Sequence, residues 1–112
     1  MAAYAPERGD LVWLTFDARG HEQAGRRPAL VISPRAYNRK VGLALCCPVT
    51  SKAKGYPFEV ELRSAGAIAG VVLSDQVRSL DWRARRAKRA GAVRDAVLAE
   101  VTAKLLTLVA PR

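Results

Sequence analysis

Bulky apolar residues fall at every second position from Val12 to Phe16, with Leu14 between them on the same face and Trp13 on the other. That alternation predicts a strand over Leu11 to Phe16. The next stretch, Asp17 to Arg27, holds two glycines and almost no large apolar residue, so it reads as a loop long enough to carry function. Ala29 to Ile32 is a continuous apolar run, as in a strand buried on both sides. Ser33-Pro34 then suits a helix N-cap with proline in the first turn, and a single turn follows around Tyr37. A third strand is predicted from Leu43 to Val49, opened by Gly42, with Pro48 arguing for an edge or a bulge.

Beyond a Lys-bearing loop from Thr50 to Pro57, Phe58 to Leu62 is strand-like, with Glu59 and Glu61 turned to water. Ala69 to Leu73 is another apolar run, and Val77 to Leu80 pairs beside it. This makes about six short strands. One convincing helix comes last, where Leu98, Val101, Leu105 and Leu108 recur at three- and four-residue spacing, Glu100 and Lys104 form an i,i+4 pair, and Asp95 suits the N-terminus. Short strands at close spacing with one terminal helix predict a mainly β fold, a small curled sheet or barrel with a C-terminal helix. That helix packs on the barrel or serves an oligomer contact.

A chain of 112 residues accommodates one domain, taken as residues 1–112. Half the residues are hydrophobic, enough for a core. No apolar run approaches a membrane span, and acidic residues occupy the place of a signal peptide's apolar region, so a cytoplasmic protein without membrane attachment is expected. Cys46 and Cys47 are the only cysteines and lack the spacing of a metal site, so buried reduced thiols are expected. The formal charge of +9 points to a polyanionic partner, nucleic acid first.

Candidate chemistry lies between Glu22 and Thr50. In EQAGRRP a carboxylate, Glu22, and two guanidinium groups, Arg26 and Arg27, surround two small residues where a phosphate can approach. RNA cleavage needs a base for the ribose 2′-hydroxyl and a fixed cation for the charge growing on the phosphate oxygens, roles that Glu22 and Arg27 match. On composition alone, however, a Glu and an Arg on one loop are a surface ion pair worth under about 1 kcal/mol. The segment CCPVTSKAKGYPFEV adds hydroxyls at Thr50 and Ser51, ammonium groups at Lys52 and Lys54, and aromatic rings at Tyr56 and Phe58, a set that suits a phosphate-and-base track or simply caps a turn and packs. Arg83, Arg85, Arg86, Lys88 and Arg89 form the densest basic cluster, read as an electrostatic funnel. His21 is the one histidine, so paired imidazole catalysis within one chain is excluded, and a loop histidine reads as a bystander. No H-E-x-x-H, P-loop or dinucleotide pattern occurs, and the aspartates are far apart in sequence. A reaction without metal or cofactor is the economical reading.

The blocks GDLVWLTFD, EQAGRRPALVISP, CCPVTSKAKGYPFEV and LSDQVRSLDWRAR, in this order, resemble the MazF/PemK family of toxin endoribonucleases along nearly the whole chain. The resemblance implies an SH3-like barrel with a C-terminal helix, a homodimer, and metal-independent, sequence-specific cleavage of single-stranded RNA, mRNA included, that inhibits translation and growth. The implied products are a 2′,3′-cyclic phosphate and a 5′-hydroxyl. By the same resemblance Glu22, Arg27 and Thr50 match the family's catalytic positions. Glu22 would act as the base or orient it, Arg27 would stabilise charge and Thr50 would hold the phosphate. Because Arg stays protonated far above neutral pH, its electrostatic role is the sounder one. Lys54 and Gln76 look like RNA-contacting positions, joined by Arg26, Ser51, Lys52, Arg83 and Arg85 from the basic segments. Two departures, His21 and the dense basic run through Arg89, bear on substrate choice. An acidic antitoxin of the MazE kind, folding into the RNA groove, is the implied protein partner. Two rivals stay open: a toxin of the same fold that poisons DNA gyrase, and an RNA-binding module without catalysis.

Overall fold

The computed structural model of the chain describes residues 3–16, 25–63 and 68–111. The elements are β1 (Asp10–Phe16), β2 (Gly25–Val31), α1 (Arg35–Val41), β3 (Ala44–Thr50), β4 (Glu59–Glu61), β5 (Val71–Leu73), β6 (Arg78–Leu80), β7 (Lys88–Ala92) and α2 (Asp95–Val109). All the strand pairs are antiparallel, in the order β4-β5-β3-β2-β1-β7 with β6 also on β3. The expected mainly β fold with a C-terminal helix is what forms.

Four expectations need correction. Strand β6 pairs with the first half of β3 and not with β5, which lies between β4 and the end of β3. Seven strands form among the described residues, not about six: β7 pairs with β1 although its sequence, KRAGA, is basic and small. Backbone pairing, which needs no apolar side chain, makes it a strand. Strand β2 begins at Gly25 rather than Ala29, because Arg26 and Arg27 pair with Thr15 and Leu14 of β1 and so stand on a strand instead of a loop. Strand β3 is central rather than an edge. It pairs with β2 on one side; on the other its first half takes β6 and its last two residues take β5. Cys47 and Pro48 fall at that changeover, where a residue without an N–H is tolerated.

Both faces of the central strands are buried, and alternation divides their side chains between two cores. Leu11, Leu30, Cys47 and Val49 join Val60, Leu62, Ile68, Val72 and the α2 residues Val97 and Val101. Val12, Leu14, Ala29, Val31, Ala44 and Cys46 turn the other way, onto Ala5, Leu80 and Trp82. Trp13 therefore points away from Leu14 as read, yet it packs against the first core. Helix α2 buries Val97 and Val101, with Leu98 and Leu105 half-buried, while Leu108 of the expected stripe is 55% exposed because the helix runs past the sheet. Lys104 lies 3.4 Å from Glu100, as the i,i+4 spacing predicts.

The turn of helix expected around Tyr37 is α1, but its N-cap is Pro34 and no side chain caps it. Ser33 is occupied elsewhere: its hydroxyl donates to Asn38 Oδ1 (2.5 Å) and accepts the Leu45 N–H (2.9 Å). Asn38 is fully buried and donates through Nδ2 to the Pro6 and Ser33 carbonyls, both at 2.9 Å. Its own carbonyl accepts the Trp82 indole N–H (3.0 Å). This polar knot ties the N-terminal segment, α1 and the Trp82 turn together, and all the side-chain groups it buries have partners. Among the described residues no helix is long and apolar enough to cross a membrane.

Candidate functional site

Antiparallel register decides which of the basic and hydroxyl side chains meet. Strand β2 aligns Ala29 with Pro48, Leu30 with Cys47 and Val31 with Cys46 of β3. Arg27 and Thr50 lie two residues beyond the Ala29–Pro48 pair on their respective strands. Both belong to the face that carries Ala29, Val31 and Cys46, and both are half-buried. Phe16 ends β1 on this face, beyond Val12 and Leu14. Arg78, paired with Cys46, enters it from β6, and its guanidinium carbon lies 6.0 Å from the Phe16 ring centre. Arg85 covers the same ring at 4.6 Å. One end of the second core is thus a basic floor of Arg27, Arg78 and Arg85 around one aromatic ring, with the Thr50 hydroxyl at its rim.

Thr50 Oγ1 accepts the Lys52 N–H (3.1 Å), which leaves its own hydroxyl proton to be donated to an incoming oxygen. Its backbone is hemmed in. Gly70, with φ of +123°, lies so close that a Cβ there would be 2.8 Å from the Thr50 carbonyl carbon and 3.0 Å from Ser51 Cα, and nearer still to the Thr50 carbonyl oxygen. A residue with no side chain is required at that crossing.

Arg26, expected to contact RNA, is exposed, and one of its guanidinium nitrogens is engaged within the protein. Nη1 donates to Thr15 Oγ1 (2.7 Å) and to the Arg85 carbonyl (3.2 Å). Arg85 returns a hydrogen bond to the Thr15 carbonyl (3.2 Å), while the Thr15 N–H donates to the Arg85 carbonyl (2.8 Å). Together these fasten the β1–β2 hairpin to the turn after Trp82. Arg83 lies over the Trp82 ring at 4.5 Å, beside Gly42 at the end of α1. Arg89 pairs with the buried carboxylate of Asp10 at 3.4 Å. The basic cluster is therefore divided among several places, because strand and turn geometry send neighbouring side chains to different faces.

Ser51, Lys52, Lys54 and Gln76 are exposed. The loop that carries the lysines is held by Glu59, whose carboxylate accepts the N–H groups of Lys54 (3.0 Å) and Gly55 (3.1 Å). From α2, Lys104 Nζ donates to the Pro57 (2.7 Å) and Glu59 (3.0 Å) carbonyls. Gln76 lies in a tight turn closed by its N–H onto the Leu73 carbonyl (3.1 Å). Glu22 and His21 lie outside the described residues. Sequence reading missed Arg78 and Phe16 as site residues. The signal was present: Arg78 is two before buried Leu80, and Phe16 two after buried Leu14, so each shares its strand's inner face.

A half-buried arginine, a hydroxyl with a proton to give, and a positive surface make a face for anions, and phosphodiesters fit it. Comparison with known proteins defines the class. A profile of PemK-like, MazF-like toxins of type II toxin–antitoxin systems matches residues 7–109, and the chain belongs to this family. The endoribonuclease toxin MazF of Escherichia coli K12 is 49% identical over 110 residues, covering 97% of this chain and 98% of that protein. The endoribonuclease PemK of Escherichia coli is 39% identical over 107 residues, covering 91% and 80%. Among solved structures, MazF of Deinococcus radiodurans superposes with a TM-score of 0.89 at 56% identity, covering 97% of this chain and all of that one. A MazE–MazF structure from the same organism gives 0.88 at 53%, covering 98% and 100%.

Proposed function

We propose that this protein is the toxin of a type II toxin–antitoxin pair and cleaves single-stranded RNA, mRNA included, by attack of a ribose 2′-hydroxyl on the adjacent phosphorus. The P–O5′ bond breaks, leaving a 2′,3′-cyclic phosphate and a 5′-hydroxyl. The observation that carries the reading is that Arg27 and Thr50 lie on paired strands and share one basic face, in a chain whose relatives are named endoribonucleases. In this reaction the 2′-hydroxyl proton passes to a base, for which Glu22 is the candidate, and the leaving O5′ takes up a proton. Arg27 balances the charge that develops on the phosphate oxygens, and the Thr50 hydroxyl donates to one of them. Arg78 and Arg85 strengthen the field around them.

An antitoxin partner follows from the relatives solved as MazE–MazF complexes. An acidic segment suits it, because a face that attracts phosphates also attracts carboxylates. A homodimer is supported by the exposed apolar end of α2, where Leu106, Leu108 and Val109 are 49%, 55% and 63% exposed.

The test is cleavage of a long unstructured RNA by the purified protein in EDTA. Cuts at recurrent short sites, with DNA left intact, are expected; intact RNA refutes the proposal. Arg27→Ala should keep the fold and lower the cleavage rate by about 100-fold or more, the usual loss when one donor to a developing oxyanion is removed. A folded variant that cuts at the wild-type rate removes Arg27 from the mechanism.

A further inference from the structure

Tyr56 is 47% exposed, yet three contacts hold it in one orientation. Its hydroxyl donates to Asp75 Oδ2 (2.8 Å), which also pushes its pKa up. Its ring leans on Phe58, with centroids 6.0 Å apart and planes at 46°. Its carbonyl accepts the Glu59 N–H (3.0 Å) within the loop that Glu59 and Lys104 already fasten. Immobilising an exposed aromatic side chain costs entropy and buries little surface, so folding alone gains little from it. The same rigidity is an advantage for a ligand, because no ordering cost is left for the binding step.

The surroundings say which ligand. Tyr56 forms a wall of an open groove of about 600 Å³ whose lining includes Ala53, Gly55, Glu59, Gly70 and Val71. Gly70 is the residue pressed against the Thr50 backbone, so this groove abuts the rear of the Thr50 site. Asp75 directly precedes Gln76, and its other oxygen, Oδ1, is buried without a hydrogen-bond partner among the described residues. The Tyr56 hydroxyl is thus the group that ties this carboxylate, and the turn bearing Gln76, to the Lys52–Gly55 loop. A fixed aromatic face on the loop that also carries exposed Lys52 and Lys54, a short way along the chain from Thr50, is the combination that takes a base while the ammonium groups take its phosphates.

We infer that Tyr56 is a stacking platform for a nucleobase of the bound single strand, next to the phosphate held at Thr50, and that Asp75 positions its ring. The inference rests on the proposed function only in taking RNA as the ligand.

The experiment uses the full chain and an uncleavable probe, a mixed-sequence 2′-O-methyl RNA strand carrying 2-aminopurine, whose fluorescence is quenched by stacking. Wild-type protein should bind and quench. Tyr56→Trp should preserve both. Tyr56→Leu should bind about 10-fold more weakly, as loss of a stacked aromatic typically costs, and without the quench. Tyr56→Phe and Asp75→Ala, which keep the ring but remove the donor or the acceptor of its tether, should retain the quench with affinity lowered about threefold. Wild-type affinity and quench in Tyr56→Leu overturn the platform, and wild-type affinity in both tether variants overturns the positioning role of Asp75. Because the probe cannot be cut, a wild type that binds and quenches it but leaves ordinary RNA intact refutes the nuclease while upholding the platform. A wild type that does not bind the probe overturns the platform itself.

Discussion

Replacing Gly70 by alanine tests how closely β5 is fitted to Thr50. Two costs add. A non-glycine residue at φ of +123° occupies backbone space that costs about 1–3 kcal/mol. The new Cβ also meets the Thr50 carbonyl and Ser51 Cα, which are backbone atoms and cannot rotate away, so the strands must part at another 1–3 kcal/mol, roughly. The stiffer unfolded chain returns about 0.5–1 kcal/mol. The net loss is about 1–5 kcal/mol, against a total stability of about 5–15 kcal/mol. For a chain of this size that lowers Tm by roughly 4–20 °C. Urea titration followed by circular dichroism should show a lower midpoint at unchanged slope. Gly55→Ala is the control, since its φ of +76° is also positive but nothing lies within 4 Å of the added Cβ. It should lose only about 1 kcal/mol. The difference between the two variants combines the contact with Thr50 and Ser51 and the greater backbone strain at φ of +123° than at +76°. Equal losses, or a Gly70→Ala change below about 0.5 kcal/mol, would refute the argument.

Two further outcomes follow. Burial raises the thiol pKa of both Cys46 and Cys47 to about 12 from 9.0, so the folded protein keeps protons that the unfolded chain releases above pH 9. Their contribution to stability is whole below pH 9 and is lost as pH climbs toward 12. Iodoacetamide at pH 8 should label native protein far more slowly than urea-unfolded protein, and equal rates would contradict the buried placement. Asn38→Leu should strip partners from the Pro6 and Ser33 carbonyls and the Ser33 hydroxyl, at about 3 kcal/mol or more, since each buried group left unpaired costs about 1–3 kcal/mol. A calorimetric Tm within a degree or two of wild type would show that water replaces the side chain there.

Much of the architecture was legible because it rests on local alternation. Val12 and Leu14 at period two, the continuous run through Leu30 and Val31, and the spaced Leu98 and Val101 all mark buried faces that the structure uses. Strand β7 escaped because KRAGA carries no apolar signal, and its pairing with Asp10–Trp13 is a matter of free backbone groups. Pro48 misled for a related reason. Proline suggests an edge when a strand is imagined with one partner per side, whereas β3 changes partner there.

Residue identity alone determined the positive charge, the apolar periods, the glycines at forced turns and the ordered blocks shared with the family, all of which are properties of the chain one stretch at a time. Tertiary structure decided which of ten or so basic and polar candidates share a surface. The pairing of β2 with β3 puts Arg27 and Thr50 on one face, while hydrogen bonding ties Arg26 to Thr15 and stacking ties Arg83 to Trp82. The physical reason is the twofold period of a strand: neighbours in sequence point to opposite faces, and only long-range pairing settles what stands opposite each of them.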